Sequence, residues 1–163
     1  MSDNNYNLDE QLERSVEWVK YAETKNAVAI GLIGAAFVEI CNSDKWNTVC
    51  GRILVATLAI QLLFLVFSFI PRFSSPLIIK KKKDELNFHY YGDVSSVSLF
   101  EYQTKLKNAY PMLDETSKYF KDVTHQIHIN CEIAMIKFWF FKWVCFLTLV
   151  SGVSYILNAF FAL

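Results

Sequence analysis

The chain has no excess of charge of either sign and few charged residues for its length. Sixteen Lys and Arg balance sixteen Asp and Glu, and charged residues occupy only 20% of the 163 positions. A nucleic-acid-binding protein needs a basic field that attracts phosphates at physiological salt, and this composition provides none. At the same time 53% of the residues are hydrophobic, which excludes a disordered tail. Nucleic acid is therefore not an expected partner.

Catalytic and cofactor-binding motifs are also missing. The sequence holds no GxSxG, Walker loop, GxGxxG, HExxH or paired-cysteine motif, and its carboxylates do not recur at catalytic spacing. His128 and Glu132 share a helical face, but a structural zinc site would need further ligands that the sequence does not supply. We predict no enzyme activity, no cofactor and no metal site. An integral membrane enzyme would need a catalytic set that is not found.

The sequence is instead rich in long apolar runs. We predict transmembrane helices at 26–41, 53–70 and 138–163, and Gln61 is the only strongly polar residue of the second. A helix needs about 20 residues to cross the hydrocarbon core, so the short first span must share a helix with the residues before it. The expected fold is an all-α integral membrane protein with three transmembrane helices, two of them extended into the cytosol as stalks around a small cytoplasmic segment.

The distribution of basic residues predicts the orientation of these spans. Ten Lys and Arg lie in 71–137, including the run at 80–83, whereas the loop at 42–52 has two. The positive-inside rule then places the amphipathic helix at 1–25 and the segment 71–137 in the cytoplasm, and the loop at 42–52 outside. We expect the run at 80–83 to lie on anionic headgroups. The predicted location is the bacterial inner membrane.

Local patterns predict where the helices begin and end. Asp9 is a plausible N-cap for one helix that continues into the first span, because no Gly or Pro interrupts it. A second long helix is expected to start near Leu113 and to run into the last span. Between them, the HYYGDV stretch predicts an extended or turn segment with Gly92 available for positive φ, and Ser98–Asn108 predicts a short helix.

Two features bear on how the spans pack. Ala27, Gly31 and Ala35 recur every four residues, which is the spacing that lets helix backbones approach closely. Packing against the second span of the same chain is the favoured interpretation, and self-association is the alternative.

Cys41 and Cys50 flank the predicted outer loop, so they could form a disulfide in an oxidising compartment.

A set of polar residues is predicted where the stalks leave the bilayer. Ion pairs and solvation can explain each of them separately, but together they could line one cytosolic pocket. Arg or Lys would bind a phosphate, Tyr would stack on a base, and Asn, Gln or Asp would contact the base edges. The set consists of Glu23, Lys25, Arg72, Tyr91, Asp93, Gln126, Asn130 and Lys137.

Several short motifs resemble one protein family. They are WVKYAETKNA at 18–27, the Pro71-Arg72 pair, the HYYGDV stretch with the later Glu101-Tyr102, and QIHINCEIAMIKFWFFKW before the last span. In this order they resemble the Pycsar transmembrane effectors of bacterial anti-phage defence. The glutamate at 23 and the asparagine at 26 depart from the aspartate and the small residue that are usual there.

The resemblance implies a function and a set of ligand contacts. A pyrimidine cyclase triggered by phage would make cyclic UMP or cyclic CMP, and the effector would sense it and impair the inner membrane, with growth arrest or cell death as the result. Lys25 and Arg72 would bind the phosphate, Tyr91 would stack on the base, and Asn130 or Gln126 would contact its edge, with Asp93 nearby. Subunits would associate as a homo-oligomer in the bilayer. The alternative is a constitutive membrane scaffold or small channel subunit without a nucleotide ligand.

Overall fold

The computed structural model describes residues 6–43, 47–70 and 85–161. Within these ranges the regular structure consists of five α-helices, and no strand is present. The helices are α1 (Leu8–Cys41), α2 (Val49–Phe69), α3 (Tyr91–Ser96), α4 (Leu99–Ala109) and α5 (Lys118–Phe161). Three of them, α1, α2 and α5, are long and apolar enough to cross a membrane. The predicted all-α fold with three candidate spans is therefore confirmed.

The first helix is capped by Asn7 rather than by Asp9. The Asn7 Oδ1 atom accepts hydrogen bonds from the backbone N–H groups of Asp9 (3.0 Å) and Glu10 (3.4 Å), which have no acceptor within the helix. Asp9 instead accepts a hydrogen bond from the hydroxyl of Tyr119. From this cap α1 runs without a break to Cys41, as the absence of Gly and Pro before the first span predicts.

The last helix starts at Lys118, five residues later than the expected start near Leu113. The residues after Leu113 form a turn, and Ser117 accepts a hydrogen bond from the backbone N–H of Phe120 (3.1 Å), so it caps the helix. The helix then continues through Gly152, where a glycine costs about 1 kcal/mol relative to alanine.

The prediction of an extended or turn segment holds for Phe88, His89 and Tyr90 but is wrong from Tyr91 onward, because Tyr91–Ser96 is a short helix. Gly92 does not have a positive φ. A Cβ atom at this position would lie 2.5 Å from the Tyr90 ring, so the glycine makes room for that ring. The next helix, Leu99–Ala109, confirms the prediction of a short helix here, and Ser98 caps it by accepting from the backbone N–H three residues on (3.1 Å).

Parts of α1 and α5 combine with α3 and α4 into a compact helical unit, called unit 1. Its described residues are 6–22 and 85–136. Tyr102 and Leu106 of α4 are fully buried at its centre. Burial of apolar surface is the main force that holds so small a unit together. The buried core consists of Leu8, Val94, Val97, Tyr102, Leu106, Phe120, Val123, Ile127 and Cys131.

The second compact unit, unit 2, contains the three candidate spans. Its described residues are 23–43, 47–70 and 137–161. Large apolar side chains cover its outside, and Leu32, for example, is 70% exposed. Such a surface is typical of helices that face lipid. Its main buried apolar cluster consists of Ile33, Ile40, Leu54, Leu58, Leu65 and Val144.

The small-residue stripe of α1 lies on the outside of unit 2. Ala27, Gly31 and Ala35 are all exposed, and a Cβ atom added to Gly31 would meet no other atom within 4 Å. The favoured interpretation, packing of this stripe against the second span of the same chain, is therefore wrong.

The two cysteines that flank the predicted outer loop, Cys41 and Cys50, both carry free thiols.

Candidate functional site

Unit 1 contains a cleft between one face of α1 and the segment around the start of α3. The cleft itself is narrow, with a free volume of about 10 Å³, and a more open groove of about 230 Å³ adjoins it, since Arg14 and Trp18 line both. The first cleft is lined by Gln11, Arg14, Ser15, Trp18, Phe88, His89, Tyr91, Ile127 and Cys131.

Helical spacing explains how α1 contributes four of these side chains. Gln11, Arg14, Ser15 and Trp18 are separated by three or four residues, so they lie on one face of the helix. Gln11 and Ser15 are buried there. The sequence-based prediction took the apolar residues of α1 as its packed face and did not identify this polar one. The spacing of Gln11, Ser15 and Trp18 is the signal that could have revealed it.

A hydrogen-bonded group of three side chains forms the polar end of the cleft. The Nδ1 atom of His89 lies 2.6 Å from Nε2 of Gln11 and 3.3 Å from Nη1 of Arg14. Amide and guanidinium N–H groups can only donate, so Nδ1 accepts and the neutral imidazole carries its proton on Nε2. Arg14 also donates to Glu10 (2.9 Å), and its side chain is 41% exposed. The guanidinium is therefore held in place but remains accessible.

Two aromatic rings form the opposite part of the cleft. The ring centroids of Trp18 and Tyr91 are 5.0 Å apart, and the Tyr90 ring lies 4.8 Å from Tyr91. Burial raises the pKa of Tyr91 to about 12, so its hydroxyl remains protonated at neutral pH. An indole and a phenol at this distance provide flat surfaces on which a planar heterocycle can stack.

Three of the sequence-predicted contacts lie at or beside this cleft. Tyr91 lines it directly. Asn130 is buried, and its Nδ2 donates to the hydroxyl of the lining residue Ser15 (3.0 Å). Gln126 is exposed and donates to Oδ1 of Asn130 (3.2 Å). Asn130 thus positions Ser15, and both ends of its amide are already engaged.

The other predicted contacts are placed elsewhere. Asp93 does not line the cleft, and its carboxylate accepts a hydrogen bond from the backbone N–H of Asn87 (3.2 Å). Lys25 belongs to unit 2, where its Nζ lies 5.4 Å from the centroid of the Phe141 ring. Arg72, together with the Lys run at 80–83, lies outside the described residues.

Glu23 and Lys137 of the predicted polar set form an ion pair in unit 2. Lys137 is almost fully buried, and its Nζ lies 3.2 Å from the Glu23 carboxylate and donates to the Ser68 carbonyl (3.0 Å). It also lies 5.3 Å from the centroid of Phe69. The fully buried Asn26 donates to the Ser68 hydroxyl (2.8 Å). A buried ammonium needs such partners, because desolvation of an unpaired charge is costly.

His128 is part of the packing of unit 1. Its Nε2 donates to the carbonyl of Val97 (2.9 Å), and its Nδ1 lies 3.8 Å from the Glu132 carboxylate. Among the residues that the structure describes, no group of three or more His, Cys, Asp or Glu side chains could hold a metal ion. The histidine instead ties α5 to the end of α3.

Cys131 gives unit 1 a specific pH dependence. Burial raises the pKa of its thiol to about 12, so between pH 9 and that value the folded state keeps a proton that the unfolded chain loses. Folded states that bind more protons lose stability as the pH rises, and we expect a loss on the order of 2 kcal/mol by about pH 11. Chemical unfolding in detergent, from neutral pH upwards, measures it. Cys131→Ala should have a shallower pH dependence, and identical slopes would contradict the assignment.

Comparison with known proteins assigns the family. The model of the Pycsar effector protein domain matches residues 7–163. No match was found among curated proteins or among solved structures. The match covers nearly the whole chain and confirms the resemblance that the short motifs indicate. Effectors with this domain disrupt membranes in anti-phage defence. The three apolar helices of unit 2 fit this role, and the chain therefore belongs to the Pycsar transmembrane effector family.

Proposed function

We propose that this effector binds a cyclic pyrimidine mononucleotide, cyclic UMP or cyclic CMP, in the cleft of unit 1. The arrangement of Arg14 beside the Trp18 and Tyr91 rings carries the proposal. A cyclic mononucleotide has one negative phosphate and one planar base, and these are the two groups that a guanidinium and an aromatic pair recognise. Binding then impairs the inner membrane and leads to growth arrest or cell death.

The cleft offers a role for each of its polar side chains. Arg14 can give up its exposed contact with Glu10 for a phosphate, because a solvent-exposed ion pair contributes little stability. Gln11 and His89 provide donors and acceptors for the base edge. Of the ligand contacts predicted from the sequence, Tyr91 lines the cleft, and Lys25, Arg72, Asp93, Gln126 and Asn130 stay predictions.

Two helices provide a route from the ligand to the membrane spans. Residues 8–22 of α1 and 118–136 of α5 belong to unit 1, and the same helices continue into unit 2. A ligand shifts an equilibrium only by its difference in affinity between two states. In this proposal the nucleotide prefers one packing of α1 and α5 in unit 1, and the change continues along both helices.

The proposed orientation places unit 1 on the side where the signal is made. An excess of Lys and Arg in 71–137 favours a cytoplasmic location for this segment and for the N-terminus. A pyrimidine cyclase in the same cell would release its product on that side. The effector itself needs no catalysis, since nucleotide binding provides the free energy for the change.

Self-association through the α1 stripe is part of the proposal. Gly31→Leu should reduce the oligomeric fraction and the membrane damage by about tenfold, because a bulky side chain prevents close approach of two helices. The protomer should be unaffected, since the position is open. Gly152→Leu is the matched control, because Gly152 is also exposed and open. Cross-linking in membranes measures the association. Equal cross-linking of both variants and wild type would contradict an interface at this stripe.

Titration of the purified full-length chain with nucleotides tests the proposed ligand. We expect saturable binding of cyclic UMP or cyclic CMP that is at least about tenfold tighter than binding of cyclic AMP or of linear UMP. Cyclic AMP tests selectivity for the base, and linear UMP tests selectivity for the cyclic phosphate, since a linear phosphate differs in charge and shape. Absence of binding to all four would favour a constitutive scaffold or channel subunit instead.

A further inference from the structure

A seam of polar side chains runs between α2 and α5 in the middle of unit 2. Gln61 is fully buried; its Nε2 donates to the Ser151 hydroxyl (2.8 Å) and its Oε1 accepts from the Thr148 hydroxyl (3.0 Å). The hydroxyls of Thr57 and Ser151 are also hydrogen-bonded to each other (2.8 Å). Gln61 lies about 18 Å along α2 from its first residue, because a helix rises about 1.5 Å per residue. In a spanning helix this is close to the centre of the bilayer.

The same helix faces are polar at both ends of unit 2. At one end Thr48, the cap of α2, is hydrogen-bonded to the buried Asn158 of α5. At the other end the buried Ser68 of α2 accepts through its carbonyl from Lys137 of α5. Buried Ser154 lies between Ser151 and Asn158 on α5. Polar groups therefore occur at both ends and in the middle of the α2–α5 interface, with apolar contacts such as Phe64–Phe140 between them.

The α2–α5 seam is polar, whereas the lipid-facing surface of unit 2 is apolar. The outside of unit 2 is covered with apolar side chains such as Leu63 and Val66, each more than half exposed. The polar groups are inside and satisfy one another. If α2 and α5 separate, those groups cannot face hydrocarbon without losing their partners, so water must enter with the separation. Intramembrane polar side chains commonly mark the paths of ions.

We propose that the α2–α5 seam opens in the activated state and becomes the wall of a hydrated path that conducts small ions. This inference rests on the proposed function and specifies how the membrane is impaired. Gln61 is the central polar group of the seam, because it bonds to α5 through both ends of its amide. The middle of the seam is lined by neutral amide and hydroxyl groups, so the path should pass both K⁺ and Cl⁻. Seams from several copies of the chain enclose it.

Ion flux from vesicles that contain the full-length chain is the first test. Cyclic UMP and cyclic CMP should release K⁺ and Cl⁻ while the larger dye calcein is retained. Gln61→Leu removes the polar centre of the path and should reduce the nucleotide-dependent flux by about tenfold or more, with nucleotide binding unchanged. Ile60→Leu, a lipid-facing change on the adjacent residue, should leave the flux unchanged. Wild-type flux in Gln61→Leu, or calcein release as fast as K⁺ release, would overturn the inference.

Cysteine accessibility tests the seam directly. With the native cysteines 41, 50, 131 and 145 replaced, Thr57→Cys should react with a membrane-impermeant methanethiosulfonate about tenfold faster when nucleotide is bound. Ile60→Cys, on the lipid side, should remain unreactive. An unreactive Thr57→Cys in leaking vesicles would overturn the seam. Reaction of Thr57→Cys that does not depend on nucleotide would support the seam but contradict the proposed nucleotide gating. Nucleotide binding without any flux would contradict both.

Discussion

Replacing Arg14 with alanine is expected to weaken binding of cyclic UMP or cyclic CMP by about 10- to 100-fold. A hydrogen bond to a charged group contributes about 1.5–3 kcal/mol, and each 1.4 kcal/mol corresponds to a factor of ten. The cleft would keep its aromatic rings but lose its guanidinium. Calorimetric titration of the purified variant measures the affinity. Growth arrest in cells with an active cyclase should be lost as well.

Two observations separate this effect from unfolding and from nonspecific loss of charge. The ion pair between Arg14 and Glu10 is largely exposed, so Arg14→Ala should change stability by less than about 1 kcal/mol. Arg52→Ala is the matched control, because Arg52 is exposed near the start of α2 and far along the chain from the cleft. It should bind nucleotide like the wild type. Wild-type affinity of Arg14→Ala would exclude the cleft as the phosphate site.

Replacing Tyr102 with alanine is expected to destabilise unit 1 by about 3–5 kcal/mol, the usual cost of removing a large aromatic side chain from a core. Tyr102 is fully buried, and its ring lies 6.3 Å from Phe88 and 6.2 Å from His128, measured between centroids. A small unit has few other contacts to compensate. Thermal unfolding in detergent, followed by the near-ultraviolet signal, measures the loss.

Tyr102→Phe separates the contribution of the ring from that of the hydroxyl. The Tyr102 hydroxyl interacts with that of Tyr6, and no other hydrogen-bond partner is found for it among the described residues, so its removal should cost only about 1 kcal/mol. Nucleotide binding should persist in Tyr102→Phe and disappear in Tyr102→Ala. A Tyr102→Ala protein that melts like the wild type would show that α4 is not central to the core.

The long helices could be predicted from the sequence because their causes are local. Apolar runs without Pro favour continuous helices, and α1 and α5 follow that pattern even across their few glycines. The ends were less predictable, because Asn7 and Asp9 are both good caps and side-chain geometry decides between them. The conformation at Gly92 was likewise not predictable from the residue type alone. Glycine permits a positive φ, but here it is required for space beside the Tyr90 ring.

The cleft could be predicted only in part, since its residues meet through the tertiary fold. Tyr91 was identified because an aromatic side chain in a polar segment suggests stacking. Gln11 and His89 are 78 residues apart in the sequence, and no local pattern shows that they are hydrogen-bonded. From the sequence alone Arg14 is indistinguishable from an ordinary surface residue, because only the fold places His89 beside it. The outward position of the Gly31 stripe likewise follows from which face of α1 the other spans cover.

Membrane potential in living cells tests the central claim most directly. Cells would carry this effector with an active pyrimidine cyclase, with a catalytically inactive cyclase, or with the active cyclase and the Arg14→Ala effector. We expect rapid depolarisation only with the active cyclase and the wild-type effector. An unchanged potential, with both proteins expressed and the nucleotide shown to accumulate, would contradict a nucleotide-gated membrane effector.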